Sequence, residues 1–187
     1  MNILGIIASS ISGSISSSSY ESIATATGTG SSGTITFSSI PSTYQHLQLR
    51  WISRSSRAVT ADNMRVTFNS ATSTYADHIL YGDGASAAAA GQTALAYITL
   101  QDATTGASAT SNIMGTGILD IHDYASTTKA KTLRSMHGND RNGAGVIALS
   151  SGLWTSTSAI TSITIVVGST GNFTTATQFA LYGIKGA

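Results

Sequence analysis

Along most of the chain, apolar and polar residues alternate one by one. Ile163, Ile165 and Val167 share one face of a run with Thr164 and Val166 on the other, and after a turn at Gly168, Gly171 and Asn172 the alternation restarts at Phe179 and Leu181. A period of two marks β-strands that bury one face. The two runs are expected to form a hairpin, and so apolar an ending predicts strands zipped into the middle of a sheet.

The same pattern recurs upstream. His46 to Arg54 sets Leu47, Leu49 and Trp51 against Gln48, Arg50 and Arg54, and Met64 to Asn69 carries Val66 and Phe68 on one face. Shorter strand-like runs cover Tyr20 to Thr27, Thr34 to Ser38, Ile79 to Tyr81, Leu95 to Leu100, Ile113 to Tyr124, Lys129 to Met136, Val146 to Leu149 and Leu153-Trp154. The first two of these flank GTGSSG and predict a hairpin with Ile23 opposite Ile35 and Phe37. Pro41 falls between strands, where its missing N–H costs nothing. Gln101 to Ser111 reads as a loop, and Ala85 to Gly91 is the one stretch expected to make a short helical turn. No apolar stripe of helical period and useful length occurs, and roughly ten strands at short spacing predict an all-β fold, an antiparallel β-sandwich or jelly roll.

Length makes this one domain: 187 residues suffice for a sizeable core and are short for two. The expected organisation is a single β-sandwich over residues 20–187, preceded by an extended arm and linker over residues 1–19. The arm carries Ile3, Leu4, Ile6 and Ile7, and a Ser/Gly run from Ser9 to Ser19 follows. It has neither the basic start and longer apolar core of a secretory signal nor the ~20 apolar residues of a membrane span. These four residues are too few for a core and too apolar for water, and they are the expected partner-docking residues.

Charge changes the picture. Only 9% of residues are charged, against roughly 25% in ordinary soluble proteins, and the net charge of +1 comes from scattered Lys and Arg. Without a basic patch, nucleic acid is not an expected partner, and without an apolar span a membrane is not expected either. A surface that repels its neighbours so weakly suits an assembly subunit, and a homo-oligomer of three copies is expected. The chain has no cysteine, so its core alone must hold it.

The candidate chemistry is sparse. GTGSSG, Gly28 to Gly33, matches a dinucleotide-binding glycine pattern, but such a loop must open a helix whose N-terminus meets the pyrophosphate. A strand follows here, and the stretch reads as a flexible hairpin loop. Asp120 and His122 in LDIHDY fall on one strand face, yet a metal ion wants at least three protein ligands and no partner motif is present. They read as a hydrogen-bonded pair. HGNDRNGAG, His137 to Gly145, lacks the closing Glu of a calcium loop and reads as a long polar hairpin loop. No Ser stands in a nucleophile-elbow pattern, and Glu21 is the one glutamate. The sequon at Asn172 to Thr174 is expected to go unused. Tyr44, Trp51, Tyr75, Tyr81, Tyr97 and Trp154 could stack on a sugar, but half of them alternate into the expected core. No catalytic, cofactor-binding or metal-binding residue is therefore assigned, no cofactor is expected, and the chain is not read as an enzyme.

SYESIAT (Ser19 to Thr25), SSIPSTYQHLQLR (Ser38 to Arg50), RVTFN (Arg65 to Asn69), LYGDG (Leu80 to Gly84), SGLW (Ser151 to Trp154), AITSI (Ala159 to Ile163) and FALYGIK (Phe179 to Lys185) together resemble a group of small virion proteins of tailed bacteriophages, those of marine and cyanobacterial phages especially. The similarity spans nearly the whole chain after Ser19. It implies a structural protein of the particle exterior, either capsid decoration (cement) or tail-associated, with a major capsid protein or a tail protein as partner. As decoration the chain would reinforce the head across subunit boundaries. The alternative is a tail fibre, receptor-binding or adaptor module that contacts host surface glycans. The resemblance supplies no catalytic residues.

Overall fold

The computed structural model describes residues 19–186, which form twelve strands and no helix. In chain order these are β1 (Tyr20–Thr27), β2 (Thr34–Phe37), β3 (His46–Ser53), β4 (Ala61–Phe68), β5 (Tyr75–Gly82), β6 (Ala87–Leu95), β7 (Ile98–Thr105), β8 (Gly115–His122), β9 (Lys131–Asp140), β10 (Gly145–Trp154), β11 (Ile163–Val167) and β12 (Gln178–Ile184). They make an antiparallel sandwich of unequal sheets, eight strands in the order β1-β12-β3-β8-β9-β10-β5-β6 and four in the order β2-β11-β4-β7.

The period-two pattern works as read. In β3 and β4 every second residue is buried, and Ile163, Ile165 and Val167 all point inward from the centre of the small sheet. The core between the sheets joins Leu47, Leu49, Met64, Val66, Phe68, Leu119, Ile165 and Leu181. Two aromatic groups close its ends, Phe68 with Tyr75 and Trp154, and Trp51 with Phe179 and Phe173.

Five local expectations are corrected. β11 and β12 are not a hairpin: β11 lies between β2 and β4 in the small sheet, and β12 between β1 and β3 in the large one. β1 and β2 likewise do not pair with each other but with β12 and β11. Ala85 to Gly91 contains no helical turn, because Ala87–Leu95 is the end strand of the large sheet, paired with β5. Finally, β7 runs from Ile98 to Thr105, extending the expected strand into the stretch from Gln101 that was expected as a loop, and the polar loop at 137–145 shrinks to the short turn between Asp140 and Gly145.

The runs β1–β2, β3–β4 and β11–β12 instead cross side by side from one sheet to the other, and their corners bond together. Gly28 N–H donates to Thr177 O (3.0 Å), Gly30 N–H to Phe173 O (2.9 Å) and Thr174 N–H to Arg54 O (2.9 Å). GTGSSG is thus a pinned inter-sheet corner rather than a flexible hairpin loop. Only glycine fits at its first position, since a Cβ on Gly28 would stand 2.1 Å from Thr174 O. Arg54 ties in the β7–β8 corner, its guanidinium donating to the carbonyls of Thr110, Ile113, Ala109 and Ala107 at 2.7–3.3 Å. This planar fork of donors suits Arg and no other side chain.

Candidate docking face

The outer face of the large sheet divides in two. Over β1, β12, β3 and β8 it is polar and aromatic. The rings of Tyr20 and Tyr182 lie 4.9 Å apart, and the Arg50 guanidinium sits over both at 5.4 and 5.6 Å. Gln48 accepts from the Tyr20 hydroxyl and from Arg50 Nε (2.7 Å), while its own amide donates to Asp120 Oδ1 (2.7 Å).

Over β8, β9, β10 and β5 an apolar row crosses the face, next to the polar row of Asp120, Arg134, Ser151 and His78. Register sets Ile118 opposite Met136, Met136 opposite Leu149, and Leu149 opposite Leu80. Met136, Leu149 and Leu80 are each 53% exposed, and neighbouring Ile147 is 59% exposed. Directly opposed residues on one face stand close enough to touch, so these side chains form a continuous row perpendicular to the strands. Beside the row lies an open depression of about 900 Å³, walled by Thr116, Ile118, Met136 and Ile147. Gly138 is its floor, opposite both Thr116 and Ile147. A side chain there is excluded, because a Cβ would come within 2.1 Å of Val146 O.

Beneath this face runs a buried polar layer with a structural task. β7 is an end strand of the small sheet, and its outward backbone groups would be orphaned inside the sandwich. Side chains from the large sheet satisfy them. Asp77 Oδ2 accepts from Thr99 N–H (2.9 Å), and His137 Nε2 bonds Gln101 O (2.9 Å). Asn139 Nδ2 donates to Asp102 O (2.7 Å) and Trp51 Nε1 to Ala103 O (2.9 Å). Burial pushes the Asp77 and Asp102 carboxyls above the usual carboxylate range. It holds the His137 imidazole down at about 4, only partly offset by the bond to Gln101. A neutral ring with Nε2–H donating leaves Nδ1 to accept from Ser135 Oγ, 2.7 Å away.

The residues singled out in the sequence fare differently. Ile3, Leu4, Ile6 and Ile7 lie outside the described residues. Asp120 and His122 share a face, but they do not bond each other: Asp120 takes Gln48, and His122 Nε2 lies 3.4 Å from Arg134. Among the described residues no three His, Cys, Asp or Glu side chains converge on a metal position. Asp123 pairs with Lys129 (2.7 Å), which holds its carboxyl below the usual range. Asn172 belongs to the corner stack, with its N–H on Ser56 Oγ and its amide on Gly30 O. Trp51, Tyr75 and Trp154 are core, while Tyr44, Tyr81 and Tyr97 are half-buried at separate places. The aromatic pair that does form on the surface, Tyr20 with Tyr182, joins strands from the two ends of the chain. Only the β1–β12 pairing brings them together.

No protein-family model matches the chain, and neither does any curated protein. Among solved structures it aligns with a protein of unknown function from Shewanella oneidensis MR-1 at 10% identity and a TM-score of 0.24, covering 91% of this chain and 82% of that one. It aligns with a chain of infectious bursal disease virus, Gx strain, at 12% identity and a TM-score of 0.10, covering 89% of this chain and 37% of that one.

Proposed function

We propose that the chain is a structural protein of a bacteriophage virion, a decoration (cement) protein that binds the assembled head from outside. The observation that carries this reading is the apolar row of half-buried Ile118 and exposed Met136, Leu149 and Leu80, with Ile147 beside it. A fold that buries alternate residues so completely elsewhere leaves here a coherent apolar surface, of the kind that contacts another protein. Fully burying such a side chain is worth roughly 1.5–3 kcal/mol, so covering several half-exposed ones supplies several kcal/mol toward docking. The sequence resemblance to tailed-phage virion proteins supports the same reading and names the partner class, a major capsid or tail protein. The chain would fold in the host cytoplasm and ride on the particle exterior, with Ile3, Leu4, Ile6 and Ile7 as a second point of attachment.

A tail-associated, receptor-binding role is the second reading. The tilted ring pair of Tyr20 and Tyr182 beside Arg50, the amide of Gln48 and the carboxylate of Asp120 favours it, because aromatic rings flanked by hydrogen-bonding groups suit a sugar. Cryo-electron microscopy of virions of the phage encoding the chain separates the two. Density on the head lattice is the expected result, density at the tail tip selects the second reading, and virions lacking the protein refute both.

A further inference from the structure

A sheet's end strands carry unpaired N–H and C=O groups that recruit other strands unless something guards them. The sandwich has four such edges, β1, β6, β2 and β7. β7 is capped by Asp77, His137, Asn139 and Trp51. β2 is only four residues long. β1 is interrupted by a register shift between Ser22 and Ala24, and carries Glu21 bridged to Lys185 (2.6 Å). Among the described residues β6 shares only the register shift, and there it falls at the far end of the strand, between Gln92 and Leu95. Its nine residues, AAAAGQTAL, contain no charge and no proline, most are exposed, and pairing with β5 is regular from Ala87 to Gln92.

We propose that β6 pairs antiparallel with β6 of a second copy about a two-fold axis normal to the sheet, joining two eight-stranded sheets into one. A strand is the one occupant that answers a row of backbone donors and acceptors, and two observations favour this chain's own. Ala and Gly side chains let an identical strand approach without steric or charge conflict. Because the other three edges are guarded, β6 has no different edge to meet, so the contact is isologous and closes as a pair. The apolar rows of the two copies then lie on the same side and read as one long docking face. This pairing stands whether or not the chain decorates a head.

The hairpin register supplies a clean test. Asp83 N–H bonds Ser86 O (3.2 Å), so by alternation the N–H groups of Ala87 and Ala89 point to the open edge and those of Ala88 and Ala90 toward β5. Ala89→Pro thus removes an open-edge donor without breaking the β5–β6 ladder. Sedimentation velocity on the full chain should give twice the 19.1 kDa mass for the native protein and a single-copy mass for Ala89→Pro, with unchanged circular dichroism. Should Ala89→Pro lose the fold, Ala89→Lys carries the same test, because a lysine on an edge blocks strand addition. A native monomer or trimer, or folded Ala89→Pro and Ala89→Lys that remain paired, overturns the proposal.

Discussion

Replacing His137 by Gln tests the buried layer that caps β7. The imidazole is 2% exposed, and burial lowers its pKa from the ordinary 6.5 to about 4. Between those values the unfolded chain takes up a proton that the folded chain refuses. Stability is therefore intact above about pH 6.5 and declines as pH falls toward 4. Each pH unit of difference is worth ~1.4 kcal/mol, so the gap amounts to ~3 kcal/mol by pH 4, a large fraction of the ~5–15 kcal/mol that holds a domain together. Gln titrates nowhere in this range and can still donate to Gln101 O. Asp77 and Asp102, whose raised values favour the folded state as pH falls, are shared by both proteins and cancel in the comparison. Urea unfolding at pH 7.5 and pH 4 should show native protein losing ~3 kcal/mol more than His137→Gln. Parallel pH dependence in the two would refute the argument, since the imidazole would then be solvated or free to turn outward.

Arg54→Lys should cost roughly 2–3 kcal/mol in denaturant unfolding, because one ammonium cannot reach the four carbonyls that the guanidinium serves; unchanged stability would mean that the corners hold without it. Gly117→Ala should cost about 1–3 kcal/mol, as its Cβ would stand 2.2 Å from the Trp51 ring and displace it from Ala103 O, and loss of near-ultraviolet dichroism from Trp51 is the direct readout. Ile165→Asp should abolish soluble folding, because the side chain is wholly buried between Ile35 and Val66 and an unpaired charge there costs several kcal/mol. Recovery of soluble, cooperatively melting protein would contradict that placement.

Strand identity was legible in the sequence wherever one face of a strand is buried and the other solvated. Leu47-Leu49-Trp51, Val66-Phe68 and Ile163-Ile165-Val167 announce themselves through a spacing of two, and all are core. β6 was not legible, because an edge strand exposed on both faces buries nothing and leaves no alternation to read. Partners were not legible either. Adjacent runs such as β11 and β12 alternate identically whether they pair with each other or cross to opposite sheets, and only the stacked corners at Gly28, Arg54 and Thr174 decide between the two. The same holds for the docking face: Ile118, Met136, Leu149 and Leu80 come from four strands and form a row only once register aligns them. Local pattern records which side of a strand meets water, and this much the sequence alone determined. Which strands lie side by side is a property of long-range hydrogen bonding, and that only the tertiary structure decided.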